Sequence, residues 1–275
     1  MTEMVCVSDT GGITPGCGGL YTSEQEVAWH RVVDFVHEHS AARIGVRLGH
    51  SGRKGSTKLM WDGIDEPLAQ GNWEVCAPSV IPYSPANQTP RELTLGDLAE
   101  IKAQFVDAAA RGGFDLLELH CAHGYLLSSF RSPLTNRRTD CYGGSVANRL
   151  RYPLEIFDAI RAVWPAERPM TVRISATDWH GGGIDADALV EIARAFAEHC
   201  AASIDVSTGQ VVADERPAYG RSYQAPSAER IRNEVGRKYV CGGHRRRCDL
   251  VVRRRELDHL GRPGGSLRTG PSPSL

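Results

Sequence analysis

The chain has no apolar run approaching the roughly 18 residues that a membrane-spanning helix requires. A membrane role is therefore not expected. The opening segment, MTEMVCVSDTGG, lacks a basic flank followed by a long apolar core, so no secretory leader is expected there. The eight cysteines have no metal-ligand spacing. Without an export signal they read as reduced thiols, and a cytoplasmic location is expected. No strand-like segment leads into a Gly-x-Gly-x-x-Gly turn, the usual dinucleotide-binding signature.

Net charge is also nearly absent, at −1, but it is unevenly spread. From Arg237 onward ten Lys or Arg stand against three Asp or Glu, with arginine triplets at 245–247 and 253–255 and a Gly/Pro/Ser-rich end. Such a segment buries little apolar surface and is expected to be disordered. A basic tail on an acidic body could serve as a nucleic-acid arm. The abrupt loss of pattern at Gly236 argues instead for a disrupted reading frame, and no nucleic-acid partner is expected.

What is present up to Gly236 is a repeated strand–helix pattern. Strands are predicted at 1–8, 43–48, 114–119, 170–175 and 203–207. Helices are predicted from Ser23 to His39, Thr94 to Arg111, Ser145 to Val163, Asp185 to His199 and Ser227 to Val235. Ser23, Thr94 and Ser145 are expected N-caps. Residues 55–91 and 126–144 read as irregular loops. Every helix is long enough to cross over between parallel strands. A doubly wound sheet is one solution. Polar residues follow several strands rather than one crevice, which favours a (β/α)8-type TIM barrel. About five βα units are recognisable, so an incomplete barrel is predicted over 1–236, with 237–275 as a separate tail.

The most informative stretch is FDLLELHCAHGY, Phe114 to Tyr125. A short apolar run ends in His120, His123, Gly124 and Tyr125. Catalytic groups of a parallel barrel sit where strands end at their carboxyl side. Spacing alone leaves three readings open: a catalytic pair, a metal site, or two satisfied core histidines.

From His120 the chain continues HCAHGYLLSSFRSPLTNRRTDCYGGSVANRLRY. This resembles the old yellow enzyme family of flavin-dependent NAD(P)H oxidoreductases and ene-reductases. The family pattern is His-x-Ala-(His or Asn)-Gly-Tyr-Leu, then Phe-x-Ser-Pro, Asn-x-Arg-x-Asp-x-Tyr-Gly-Gly-Ser and Asn-Arg. All of 1–236 looks like the family, and closest to the flavin-reductase half of aryl-CoA hydroxylase/oxidoreductase fusions. The resemblance implies a TIM barrel binding FMN, with NADH or NADPH as reductant and an activated alkene or acyl compound as small-molecule substrate. It leaves the oligomeric state open.

The resemblance also implies roles. His120 and His123 match the donor pair aimed at the substrate carbonyl oxygen, where charge develops. Tyr125 matches the general acid that protonates the α-carbon. Arg173 matches the arginine facing flavin N1 and O2, and Met4 a backbone contact to the flavin. His50, Arg53 and Lys54 fall in the loop after the family's third strand.

Departures from the pattern are equally specific. Arg47 stands where the family usually has glutamine, and a guanidinium cannot accept a hydrogen bond from flavin N3–H. Two arginines at one ring edge should also repel. Arg131 replaces a usual apolar residue, and Cys141 a usual acid. The family's first strand and its last two, which hold the FMN phosphate, are not recognisable. Weak FMN affinity is the expectation, and an inert fragment is one alternative. The other is a metal hydrolase using His120 and His123, with His50 as a further candidate.

Overall fold

The computed structural model describes residues 1–236 and 251–254. Six parallel strands form one sheet: β1 (Met4–Cys6), β2 (Gly45–Gly49), β5 (Leu116–Cys121), β6 (Met170–Ser175), β7 (Ser203–Ser207) and β8 (Val251–Arg254). Two further segments, β3 (Cys76–Ala77) and β4 (Arg91–Glu92), pair only with each other within the long 55–91 excursion. The main strands are adjacent in the order in which the chain makes them. A doubly wound sheet would reverse its order partway, whereas a barrel wall does not. Over the described residues the architecture is an incomplete TIM-type barrel.

The helices are α1 (Ser23–His39), α2 (Leu95–Ala110), α3 (Leu126–Arg131), α4 (Val146–Val163), α5 (Ala186–Glu198) and α6 (Ala225–Glu234). Their starts follow local chemistry. Thr94 accepts from Asp97 N–H and the Asp97 carboxylate returns to Thr94 N–H, a reciprocal cap. Ser145 accepts from Asn148 N–H, and Asp185 from Asp187 and Ala188. At α1 the cap is Thr22 rather than the expected Ser23. Thr22 has extended backbone and accepts from Gln25 N–H, so Ser23 is already inside the helix.

Two other expectations need correction. The 126–144 loop opens with α3, whose six residues are all buried. Its first N–H donates to the His50 carbonyl, so contact from a distant loop starts a helix that has no capping side chain. The tail beyond Gly236 also contributes a strand, since β8 runs parallel beside β7 with Val251 opposite Ser203. The remaining tail, 237–250 and 255–275, lies outside the described residues, as does the expectation of disorder there.

Strand side chains alternate between two faces. Val46, Leu48, Leu117, Leu119, Val172, Ile174, Ile204 and Val206 point to the helices and join a core containing Phe105, Phe157 and Phe196. The opposite face is polar. Register places Met4, Arg47, Glu118, Thr171 and Ser203 in one row across the sheet. His120, Arg173 and Asp205 form the next row, and Ser175 and Ser207 the last. Barrel interiors are commonly packed with branched apolar side chains, so this polar inward face is a departure from that rule.

Candidate active site

The sheet delivers its polar rows to one mouth. His120 is the fifth residue of β5, 4% exposed, directly beside Arg173 of β6. After Cys121 the chain turns sharply. His123 and Gly124 both adopt left-handed backbone, with φ of 63° and 71°. This is costly for a histidine and calls for compensation. Ser175 Oγ supplies part of it by accepting from His123 N–H at 2.9 Å. Glycine is required at 124, because a Cβ there would meet the Gln210 carbonyl. The turn swings the His123 ring back to 5.2 Å from His120. Tyr125 completes the cluster, its ring 5.2 Å from His120 and 6.3 Å from His123.

The tautomers are assigned from hydrogen-bond partners. His120 Nδ1 accepts from Ala122 N–H at 3.4 Å, which leaves its proton on Nε2. Ser207 Oγ lies 2.6 Å from His123 Nε2 and accepts from Arg173 Nη2 at 3.4 Å. Assigning the hydroxyl's own proton to the imidazole contact puts the His123 proton on Nδ1. Burial, then the neighbouring His123, Arg47 and Arg173 charges, hold the His120 pKa well below the usual histidine value. Burial, then Arg173, Lys54 and Arg47, do the same to His123. Both rings are neutral donors. The Tyr125 phenol is pushed up, chiefly by burial and then by Asp65, so it keeps its proton.

The loop after β2 holds the mouth together. The fully buried Arg53 guanidinium donates to the carbonyls of Ile81 and Pro82, each at 3.1 Å, and to that of Val211. Lys54 donates to the Gln210 carbonyl at 3.3 Å and lies 3.6 Å from an Asp65 carboxylate oxygen. Its ammonium sits 4.1 Å from the Tyr83 ring centre and 5.6 Å from that of Tyr125. These contacts pin the 55–91 excursion to the loop after β7, so that excursion forms one wall of the mouth.

Arg131, which departs from the family's apolar residue, has a mechanical explanation. Its guanidinium donates at 2.8 Å to the carbonyls of both Cys121 and Ser175, closing the ends of β5 and β6. Cys141, the other departure, is exposed.

The expected site residues do not all converge. His120, His123, Tyr125 and Arg173 share the mouth, with Met4 and Arg47 one row below on the same face. His50 does not join them. It follows Gly49 at the outward parity and lines a cavity against α2 with Cys76, Leu93, Asp97 and Ile101. Burial lowers its pKa to about 4. The three histidines of the metal-hydrolase alternative therefore do not face one point, and no metal-holding group of three or more His, Cys, Asp or Glu occurs among the described residues.

Sequence reasoning overlooked Ser175, Ser207 and Glu118. A signal existed for the first two: the strands MTVRIS and SIDVS both end in serine, and these serines are register partners. Glu118 was visible in FDLLELH but had no apparent partner. Its carboxylate accepts from Arg47 Nε at 2.6 Å, with both side chains buried.

The residues suit a flavin. Arg47 Nη2, on the inward face, is buried without a hydrogen-bond partner, an arrangement that calls for an acceptor from a ligand. A Cβ at Gly49 would meet Met4 Sδ at 2.6 Å and His120 Cβ at 3.3 Å, so the floor between them is kept flat. Arg173 beside neutral His120 is a donor set matched to the electron-rich edge of such a ring.

Similar proteins point the same way. The profile of the NADH:flavin oxidoreductase / NADH oxidase family matches residues 1–241. An NADPH dehydrogenase of Geobacillus thermodenitrificans (strain NG80-2) is 37% identical over 272 residues, covering 94% of this chain and 75% of that protein. One from Geobacillus sp. (strain WCH70) is 40% identical over 238 residues, covering 86% and 65%. The solved structure of morphinone reductase superposes with a TM-score of 0.65 at 28% identity, covering 84% of this chain and 63% of that one. The chain thus spans about two thirds to three quarters of the relatives it matches. With a family profile covering most of its length and the parallel barrel wall already described, this chain belongs to the NADH:flavin oxidoreductase / NADH oxidase family, the old yellow enzyme lineage.

Proposed function

We propose that this chain is an FMN-dependent NAD(P)H oxidoreductase that reduces a small activated alkene, with 1–236 as its flavin-binding unit and the cytoplasm as its location. The observation carrying the reading is the trio His120, His123 and Tyr125, two neutral donors and one protonated phenol within 6.3 Å ring to ring beside Arg173. Met4, Arg47 and Arg173 would hold FMN, which when bound supplies the hydride delivered to the substrate β-carbon.

The chain's own part is positioning and charge. His120 Nε2–H and His123 Nδ1–H would both donate to the carbonyl oxygen of an enone or related acyl compound. Negative charge gathers on that oxygen as the β-carbon is reduced, so fixed neutral donors bind it more strongly at the transition state than at the start. Loss of one such donor typically costs about 100-fold in rate. Tyr125 would hold the proton that completes the α-carbon. The nearby Lys54 ammonium favours the phenolate left behind.

Purification tests the reading. The expected product is a yellow protein whose flavin absorbance bleaches anaerobically with NADPH or NADH and returns on adding an enone. A colourless chain that takes up no added FMN would overturn it.

A further inference from the structure

Glu118 stands outside the roles just described, and Arg47 enters them only as a flavin contact. Arg47 and Glu118 are register partners on β2 and β5, side by side on the inward face. Arg47 is 3% exposed and Glu118 4%. Arg47 Nε donates to Glu118 Oε1 at 2.6 Å, and Thr171 Oγ1 approaches the other carboxylate oxygen at 3.4 Å. Nη2 remains buried without a partner. The same guanidinium acts electrostatically on both His120 and His123, so its charge is felt at the mouth.

A lone buried cation on the same inward face as Arg173 would be costly, and Glu118 removes most of that cost by pairing. The pair is close to neutral as a whole but not symmetric. Its carboxylate binds Nε, and Nη2, on the same edge of the guanidinium, is left without a partner. A ligand reached by Nη2 meets the guanidinium of the pair rather than its carboxylate.

We propose that Arg47 and Glu118 act as a potential-setting dyad for the flavin. Arg47 Nη2 donates to a carbonyl oxygen of the flavin pyrimidine, and Glu118 is the positioning residue that aims the guanidinium and offsets its charge. The inference rests on the FMN reading above. Reduced flavin carries more negative charge on its pyrimidine than oxidised flavin does, so the positive end of the dyad binds the reduced form more tightly. Removing Glu118 exposes the full cation and should strengthen that preference. Removing Arg47 leaves a buried carboxylate and should reverse it. Removing both should leave a smaller loss.

The test uses the full chain with added FMN and needs no turnover. Affinity for oxidised FMN is read by quenching of its fluorescence, and the midpoint potential by anaerobic dye equilibration. The expected order of potential is Glu118→Gln above wild type, wild type above Arg47→Gln/Glu118→Gln, and that double variant above Arg47→Gln. Each single step should change the reduced-to-oxidised affinity ratio about tenfold, which is about 30 mV for a two-electron couple. If a single variant does not fold, as read by circular dichroism, the double variant carries the comparison and should lie below wild type. FMN bound by every variant at an unchanged potential, or Glu118→Gln below wild type, would overturn the dyad alone. A wild-type chain that binds no FMN would overturn the functional reading and the dyad with it.

Discussion

Ser207 Oγ bridges His123 and Arg173, lying 2.6 Å from His123 Nε2 and 3.4 Å from Arg173 Nη2. One hydroxyl thus sets which nitrogen of His123 faces the mouth with a proton. Ser207→Ala should leave the ring packed but free to change tautomer. The expected loss in kcat/KM for enone reduction is about tenfold, the value of one hydrogen bond of about 1.4 kcal/mol. Anaerobic flavin bleaching by NADPH should be affected much less. Equal losses in both half-reactions would show that the serine does not act through His123.

The pKa directions at the mouth fix a pH profile. His120 and His123 sit well below the usual histidine value, and Tyr125 above the usual phenol value. Neither imidazole gains a proton as pH falls through 6.5, the ordinary histidine value, and the phenol does not lose one near 10. Enone reduction measured from pH 6 to 9 should therefore be flat. An acid limb centred near 6.5 would show a histidine titrating normally and contradict the geometry.

Arg131 joins the ends of β5 and β6 through two carbonyls inside the protein. Arg131→Leu restores the family's apolar type but leaves both carbonyls without a donor. The expected cost is about 3 kcal/mol, one to three for each orphaned group with partial relaxation. Urea unfolding monitored by far-ultraviolet circular dichroism reads it. A variant as stable as wild type would mean that water replaces the guanidinium.

At the opposite end of the sheet, Asp115 accepts from His37 Nε2 at 2.8 Å, Ile44 N–H at 2.8 Å and Arg43 Nη1 at 3.2 Å. Burial alone would raise its pKa, but these three donors together bring it below the ordinary value. A depressed folded-state pKa means stability that is present above the unfolded value, about 3.9, and lost as pH falls through the folded one. Asp115→Asn should cost about 2 kcal/mol at pH 7 and much less near pH 3, checked by urea melts at both. A pH-independent difference would rule out the charge as the cause.

The legible parts of this chain were those set by local rules. Strands 170–175 and 203–207 lie where the apolar runs placed them, and Thr94 and Ser145 cap the helices they were expected to cap. His120, His123 and Tyr125 were legible through a long family pattern, although their convergence depends on a left-handed turn at His123 that no propensity suggests. What escaped depends on contacts between distant segments. Arg47 finds its carboxylate 71 residues away, and α3 begins because its first amide meets the His50 carbonyl. His50, a further candidate only in the metal-hydrolase alternative, follows Gly49 and so faces α2. The β8 segment, VVRR, is too short and too basic to stand out from its surroundings.

The alternation along each strand lets two kinds of change proceed independently in this molecule. Arg47 can be exchanged for another polar residue while Val46 and Leu48, its immediate chain neighbours, keep their seats beneath the helices. The same holds for Glu118 between Leu117 and Leu119, and for Arg173 between Val172 and Ile174. A directed-evolution library confined to 47, 118, 120, 173, 205 and 207 would therefore retune what the lumen recognises without repacking its outer wall.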